Sequence, residues 1–183
     1  PGEAWFIEVP ENYYEACKIV NEFKDIFESK TILKVGQNIK FDISVLRWYD
    51  IDVNEPLFDT MIAHYLLQPD NRHNMDYLAE TYLNYKPIPI TNLIGEKDKK
   101  PNKIRNVDKE LLKEYACEDA DITLQLKNTF VPLLEQNNLT DIFYKIEMPL
   151  VKVLASMENE GVKIDANALN EFSKQINQEI KSL

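Results

Sequence analysis

Apolar residues recur along the chain at the spacings of amphipathic helices and short strands. Residues 12–29 and residues 74–84 carry apolar side chains three and four positions apart, and each stretch predicts a helix. Residues 4–9 and residues 31–35 are short runs rich in β-branched and aromatic side chains, and each run predicts a strand. The order strand, helix, strand, helix predicts an α/β domain with parallel strand pairing.

Helix-capping and helix-breaking residues place the elements in the middle of the chain. Asn38 is a suitable capping residue for a helix that continues through Trp48 or Tyr49. Asp59 precedes a second helix, which ends near Leu67. Prolines and a cluster of charged residues at positions 96–100 predict a surface loop over residues 85–106.

The C-terminal part of the chain is predicted to be helical. A long helix, or a pair of helices, covers residues 108–136, and a further helix begins near Glu147 and ends at Gly161. Asp165 caps a last helix through residue 180. Because one turn joins these final helices, they look like the start of a separate helical module. We therefore expect two regions, residues 1–145 and residues 146–183, with little packing between them.

Composition and charge describe an acidic globular protein. The chain has 183 residues, with 21 Lys and Arg against 31 Asp and Glu, for a net charge of −10. This balance disfavours nucleic-acid binding, unless the acidic groups surround divalent ions or a basic neighbouring domain assists. Cys17 and Cys117 lie far apart and fit no zinc or disulfide spacing, which favours a reducing cytosol. We find no membrane-spanning run and no signal peptide, and we expect the chain to begin inside a longer protein because it lacks an initial Met.

Two acidic residues lie where helix spacing predicts an apolar face. Asp42 shares a face with Val45 and Leu46, and Asp119 shares one with Ile122 and Leu126. A carboxylate that faces a core costs several kcal/mol unless it is paired or bound to a metal. No Arg or Lys stands one helical turn from Asp119, so a cation from elsewhere is required.

A structural interpretation remains open for each of these residues taken alone. Asp42 would favour the dipole of its helix, and Asp119 would pair with a distant Arg. Asp59 is interpreted as a helix cap. His64 and His73 are interpreted as isolated packing or surface residues and not as metal ligands.

Several motifs together resemble one family. Gly36-Gln37-Asn38-Ile39-Lys40-Phe41-Asp42 resembles the second exonuclease motif of the DEDD nucleases, and Tyr115-Ala116-Cys117-Glu118-Asp119 resembles the third, Tyr-x-x-x-Asp, motif. Phe58-Asp59-Thr60-Met61, Met75-Asp76-Tyr77-Leu78-Ala79-Glu80 and the stretch from Ile146 to Asp165 are similar to family A, bacterial polymerase I-like, DNA polymerases. The resemblance covers nearly the whole chain. It implies a ribonuclease H-like fold with a truncated N-terminal edge, followed by the first helices of the polymerase (thumb) module.

The resemblance also implies a chemistry. Asp42 and Asp119 would bind metal, as part of a site for two Mg²⁺ or Mn²⁺ ions, and Tyr115 would orient the attacking water. Asn38 would contact the substrate or simply cap its helix, and we favour the cap. The substrate would be a single-stranded or mispaired 3′ end of DNA, and the partner would be the rest of the polymerase chain in the bacterial cytosol.

One motif of the family is missing from these residues. The resemblance implies an Asp-x-Glu on a first strand, upstream of residues 4–9. The only Asp-x-Glu in the chain, Asp108-Lys109-Glu110, fits the first turn of a helix. We therefore expect the 183-residue chain to bind metal weakly and to cleave little or nothing by itself.

Three other functions share some of these sequence features. An RNase D-like or RecQ-associated exonuclease shares the Tyr-x-x-x-Asp arrangement, but residues 146–165 argue against it. A scaffold domain without proofreading activity would be expected to have lost its acidic residues, whereas Asp42, Tyr115 and Asp119 are all present. A non-catalytic single-strand binding module is disfavoured by the acidic charge and by the absence of a basic and aromatic groove pattern.

Overall fold

The sheet of this domain is small and parallel. A computed structural model describes residues 2–94 and 101–182 of the chain. Within those residues, β1 (Lys34–Gly36) pairs with β2 (Leu57–Asp59) in parallel, with Gly36 opposite Asp59. The sheet is parallel, as expected, but its two strands are not the predicted pair. Strand β2 was not predicted, because three consecutive buried residues show no alternation of apolar and polar positions.

The prediction of a strand at residues 4–9 is wrong. Residues 2–10 have no regular secondary structure, and Trp5 is 80% exposed. A strand requires a neighbouring strand for its backbone N–H and C=O groups, and β1 and β2 pair with each other and not with this segment. The apolar and β-branched composition of residues 4–9 therefore indicates a local preference for extended structure, but these residues do not pair with a strand in the fold.

The N-terminal helix is broken into two. Residues 12–29 form α1 (Tyr13–Asn21) and α2 (Lys24–Phe27), and Asn12 caps α1 by accepting hydrogen bonds from Tyr14 N and Glu15 N. At the break, backbone hydrogen bonds join residues three positions apart instead of four: Glu22 N donates to Ile19 O, and Phe23 N donates to Val20 O.

The middle helices agree with the sequence prediction. They are α3 (Ile39–Arg47), α4 (Thr60–Leu67) and α5 (Met75–Leu83). The predicted loop over residues 85–106 instead contains α6 (Ile90–Ile94) and a 3₁₀ helix (Pro101–Asn106). The charged cluster at positions 96–100 lies within residues 95–100, which are outside the described residues.

A long helix and four shorter helical segments complete the fold. Helix α7 (Lys109–Gln136) begins after Asp108, whose carboxylate accepts from Glu110 N and Leu111 N. It is followed by α8 (Thr140–Ile142), a π-helical turn (Phe143–Glu147), α9 (Met148–Glu160) and α10 (Ala166–Ser182). None of the described helices has both the length and the apolar composition needed to cross a membrane.

The core lies between the sheet and helices α3, α4, α5, α7 and α9. Phe58 of β2 packs against Phe143 with ring centroids 4.8 Å apart, and both side chains are fully buried. Helix α9 contributes three buried residues to this core, Met148, Val151 and Ala155. The expectation that residues 147–183 pack little on the rest of the chain is therefore wrong for α9, because its apolar face is covered by α3 and β2.

Helix α10 does not contribute to the core. It has no buried residue, and Leu169, Phe172 and Ile176 form an exposed apolar stripe, with Leu154 of α9 also exposed. Asp165 caps α10 as predicted, by accepting hydrogen bonds from Asn167 N and Ala168 N. The assignment of residues 146–183 to a second module stays a prediction.

Candidate functional site

A cavity of about 580 Å³ lies at the carboxyl end of β1. Gly36, the last residue of β1, and Gln37, which follows it, line the cavity, while α3 contributes Asp42 and α7 contributes Asp119. The carboxyl ends of parallel strands are where α/β folds bind ligands, because the loops that follow the strands enclose a crevice there. The two acidic residues that the sequence selected thus line the same cavity.

Asp42 lines this cavity from the first turn of α3. Asp42 is exposed to solvent, whereas Ile39 and Ile43 form the buried face of α3. The sequence-based prediction that Asp42 faces the core is therefore wrong. The atoms packed around its carboxylate nevertheless desolvate it, and the negative charge of Asp59 adds to this effect. Together they raise the pKa of Asp42 to about 6.

Asp119 lies at the start of the buried face of α7. Ile122 and Leu126, one and two helical turns further on, are fully buried, as the predicted stripe requires. Burial raises the pKa of Asp119 to about 6, partly offset by a hydrogen bond from Tyr115. The negative charges of Glu118 and Asp76 raise that pKa further. The nearby acid Asp76 was not recognised as part of this cluster from sequence.

Tyr115 is half-buried one helical turn before Asp119. Burial and the adjacent carboxylate raise the pKa of Tyr115 to about 12. The phenol therefore keeps its proton at neutral pH and is available as a hydrogen-bond donor. The spacing of four residues on one helix produces this adjacency.

Asn38 is placed differently from the expectation. It occupies the residue before α3, but its side chain makes no capping hydrogen bond, so the preference for a capping role is wrong. Its backbone is left-handed, with φ of 61°, a conformation in which the Asn side chain is not directed at the amides of α3. The side chain is exposed, and its contact with a substrate stays a prediction.

Asp59 supplies the missing cap. Its carboxylate accepts from Met61 N and Ile62 N, which confirms the predicted cap of α4. It also accepts from Asn38 N at 3.2 Å and from Ile39 N at 2.7 Å, at the start of α3. Sequence reasoning missed this second role, because it joins segments about 20 residues apart.

His64 and His73 are not isolated. Their Nδ1 atoms lie 2.7 Å apart, and His64 Nε2 lies 3.1 Å from the Tyr82 hydroxyl. His64 is fully buried, as its interpretation as a packing residue requires. Burial, and then the neighbouring His73, lower the pKa of His64.

The donor set fits part of a divalent-cation site. Asp42 and Asp119 are carboxylates, the ligands that Mg²⁺ and Mn²⁺ prefer, and they line one cavity. Among residues 2–94 and 101–182, no group of three or more His, Cys, Asp or Glu side chains is arranged to bind a metal. The Asp108-Lys109-Glu110 sequence adds nothing to this site, since Asp108 caps α7 and Glu110 pairs with Lys113.

The sequence matches a family model described as 3′-5′ exonuclease over residues 2–135. The matched range contains β1, β2, the cavity residues Asp42 and Asp119, and nearly all of α7. It ends before α9 and α10.

Relatives with this similarity are bacterial proteins named DNA polymerase I. One from Borreliella burgdorferi is 37% identical over 157 residues, which cover 86% of this chain and 17% of that protein. One from Rhizobium leguminosarum is 36% identical over 85% of this chain and 15% of its own length. One from Pseudomonas aeruginosa is 33% identical over 100% of this chain and 21% of its own length. The chain thus spans about a fifth or less of the length of these relatives.

Proposed function

The chain belongs to the 3′-5′ exonuclease family, whose members generally depend on divalent metal ions, and from this premise we infer that it is the proofreading part of a bacterial DNA polymerase I. Its reaction is hydrolysis of the 3′-terminal phosphodiester of single-stranded or mispaired DNA. Water forms a new bond to the terminal phosphorus, the bond from phosphorus to the preceding 3′ oxygen breaks, and a 5′-dNMP leaves. The setting is DNA replication and repair in the bacterial cytosol.

The observation that carries this proposal is the shared cavity of Asp42 and Asp119. The two residues come from separate helices, α3 and α7, and their carboxylates have pKa values raised to about 6. Two carboxylates that line one cavity, each with its ionised form disfavoured by desolvation, would oppose the binding of a DNA phosphate unless a cation neutralises them. The arrangement is thus suited to a phosphodiester only together with divalent ions.

Asp42 and Asp119 would bind the Mg²⁺ or Mn²⁺ ions, two in the complete site. When bound, divalent ions supply charge neutralisation at the phosphate and activation of water. The Asp-x-Glu motif that the family resemblance implies would complete the ligand set, since Asp42 and Asp119 alone are fewer than a closed site requires.

Tyr115 would orient the attacking water. Its phenol keeps its proton at neutral pH, because its pKa is raised to about 12. It stands beside Asp119, so its hydroxyl can donate to Asp119 or to a water that approaches the phosphate. This role is one of positioning, and it leaves the metal ligands themselves unchanged.

The remaining chain fits a longer polymerase with a ribonuclease H-like exonuclease domain. The Pseudomonas aeruginosa protein aligns over the whole chain, and therefore also over the helices that follow the family match. The exposed apolar stripe of α10 is the kind of surface that a further part of such a protein would cover. Residues 146–183 would then be the helical start of the polymerase module.

A scaffold function is the second candidate. It is favoured by one observation, that the described residues contain no group of three metal-binding side chains. In that case the domain would support the polymerase without cleaving DNA.

Digestion of labelled single-stranded DNA by the complete polypeptide that carries this chain separates the two functions. Proofreading predicts Mg²⁺-dependent shortening from the 3′ end with release of 5′-dNMP, and a 3′-phosphorothioate linkage should slow it. The 183-residue chain alone should show no comparable activity. A complete polypeptide that polymerises but leaves the 3′ end intact would establish the scaffold function instead.

A further inference from the structure

The turn between β1 and α3 is unusually constrained. A Cβ atom on Gly36 would lie 2.9 Å from Cβ and Cγ1 of Ile39, so the turn leaves no room for a side chain there. Asn38 adopts a left-handed backbone with φ of 61°. A turn with these two features needs contacts from outside to fix its conformation.

Those contacts come from the carboxyl end of β2. Asp59, which is 1% exposed, accepts hydrogen bonds from Asn38 N and Ile39 N, and the adjacent Thr60 hydroxyl donates to Gly36 O at 3.2 Å. Thr60 also hydrogen-bonds the Gln37 side chain, whose Nε2 donates to His73 O at 2.7 Å. Every residue from 36 to 39 is thus tied to β2, α4 or the segment before α5.

Asp42 follows this turn within the first turn of α3. Phe41 N donates to Asn38 O at 2.9 Å, so the backbone that Asp59 fixes is also the one from which the helix starts. A rotation of the helix start would move Asp42 relative to Asp119, which stands on the separate helix α7. An error of about 1 Å in such a geometry costs about 100-fold in rate.

We propose that Asp59 is a positioning residue, which fixes the start of α3 and thereby the place of Asp42 in the cavity. The proposal rests on the proposed function, because Asp42 matters to a reaction only if the chain belongs to an active exonuclease. A plain helix cap would serve α4 alone. The two additional hydrogen bonds to α3 are what distinguish Asp59 from such a cap.

Two substitutions separate the cap from the positioning role. Asp59→Ser retains one oxygen that caps α4 but lacks the second carboxylate oxygen, which receives Ile39 N. Asp59→Asn retains the size of the side chain and replaces one acceptor oxygen by a donor. Asp108→Ser is the matched control, since Asp108 caps α7, the helix of Asp119, and among the described residues its carboxylate accepts hydrogen bonds from that helix alone.

The experiment uses the complete polypeptide, at a temperature where circular dichroism shows every variant folded. For both Asp59 variants we expect amide hydrogen exchange in residues 38–41 to accelerate about 10-fold or more, with residues 61–65 changed much less in Asp59→Ser. We expect kcat for single-stranded DNA to fall about 10-fold or more, while KM for DNA stays within about 2-fold. Asp108→Ser should change neither kcat nor exchange in residues 38–41.

Suppose that the wild type digests DNA and that the folded Asp59→Ser variant has the same kcat. That result would overturn the positioning role of Asp59 and leave the proposed function intact. If the wild type itself does not digest DNA, the proposed function fails. Hydrogen exchange then decides this inference alone, and equal protection of residues 38–41 in wild type and variant would overturn it.

Discussion

The Nδ1 atoms of His64 and His73 lie 2.7 Å apart, inside a helix-packed region where His64 is fully buried. One of these Nδ1 atoms must donate a proton and the other must accept it, so protonation of the accepting Nδ1 breaks the hydrogen bond. Tyr82 and Phe130 pack against His64, and no solvent reaches the ring. The pair links α4 to the segment before α5.

This pair should make the fold sensitive to acid. The pKa of His64 is lowered from its usual 6.5 by burial and then by His73, so the unfolded chain binds the proton more readily. The stabilising contribution is complete above pH 6.5 and is lost as the pH falls below it. His64→Phe should lower the free energy of unfolding at pH 7.5 by about 1–3 kcal/mol, because partners lose hydrogen bonds.

The same variant should lose less stability than wild type between pH 7.5 and pH 5.5. Urea unfolding at both pH values measures the two differences, and titrating carboxylates contribute equally to both proteins. Equal losses in wild type and variant would contradict the prediction.

The carboxylates of the cavity should affect stability in the opposite direction. The pKa of Asp119 is raised from 3.8 to about 6, so its ionised form is disfavoured in the folded protein. The contribution of Asp119 to the free energy of unfolding is therefore most favourable below pH 3.8 and decreases as the pH rises through about 6. In a chelator-containing buffer, Asp119→Asn should therefore gain about 1 kcal/mol relative to wild type between pH 4.5 and pH 7.5. Chemical denaturation at both pH values provides the test, and a pH-independent difference would argue against a desolvated Asp119.

Exonuclease activity in the complete polypeptide should depend unequally on the three site residues. Asp42→Ala and Asp119→Ala should each reduce single-stranded DNA digestion about 100-fold or more, because each removes a metal ligand. Tyr115→Phe should reduce it about 10-fold, since only a positioning hydroxyl is removed. Initial rates of dNMP release measure all three.

Glu110→Ala is the control for these variants. Glu110 belongs to the chain's only Asp-x-Glu, but it lies at the exposed start of α7 and pairs with Lys113. Its substitution should leave the rate unchanged. Digestion that persists in Asp119→Ala would show that the chemistry resides on other residues.

Helix α9 should contribute to the stability of this domain through one face only. Met148 is 2% exposed and Met157 is 63% exposed on the same helix, so the two residues form a matched pair. Met148→Ala should cost about 2–5 kcal/mol of unfolding free energy, because it opens a cavity in the core. Met157→Ala should change it by less than about 0.5 kcal/mol. Similar values for both, measured by urea unfolding, would mean that α9 is not part of this core.

The sequence by itself determined the features that depend on local backbone geometry. The capping of α4 by Asp59 and of α10 by Asp165, the end of α9 before Gly161 and the bounds of α5 all follow from contacts within a few residues. The adjacency of Tyr115 and Asp119 follows in the same way from the four-residue spacing on one helix. These predictions succeeded because helical periodicity and capping act over a single turn.

The tertiary structure decided which distant segments meet. It left residues 4–9 without a strand partner, made a strand of residues 57–59, and covered one face of α9 with the core. It also directed the carboxylate of Asp59 at α3 as well as α4, and brought Asp42 to the cavity of Asp119. A local sequence pattern indicates which secondary structure a segment prefers. Whether two distant residues come into contact depends on how the elements between them pack, which no local pattern specifies.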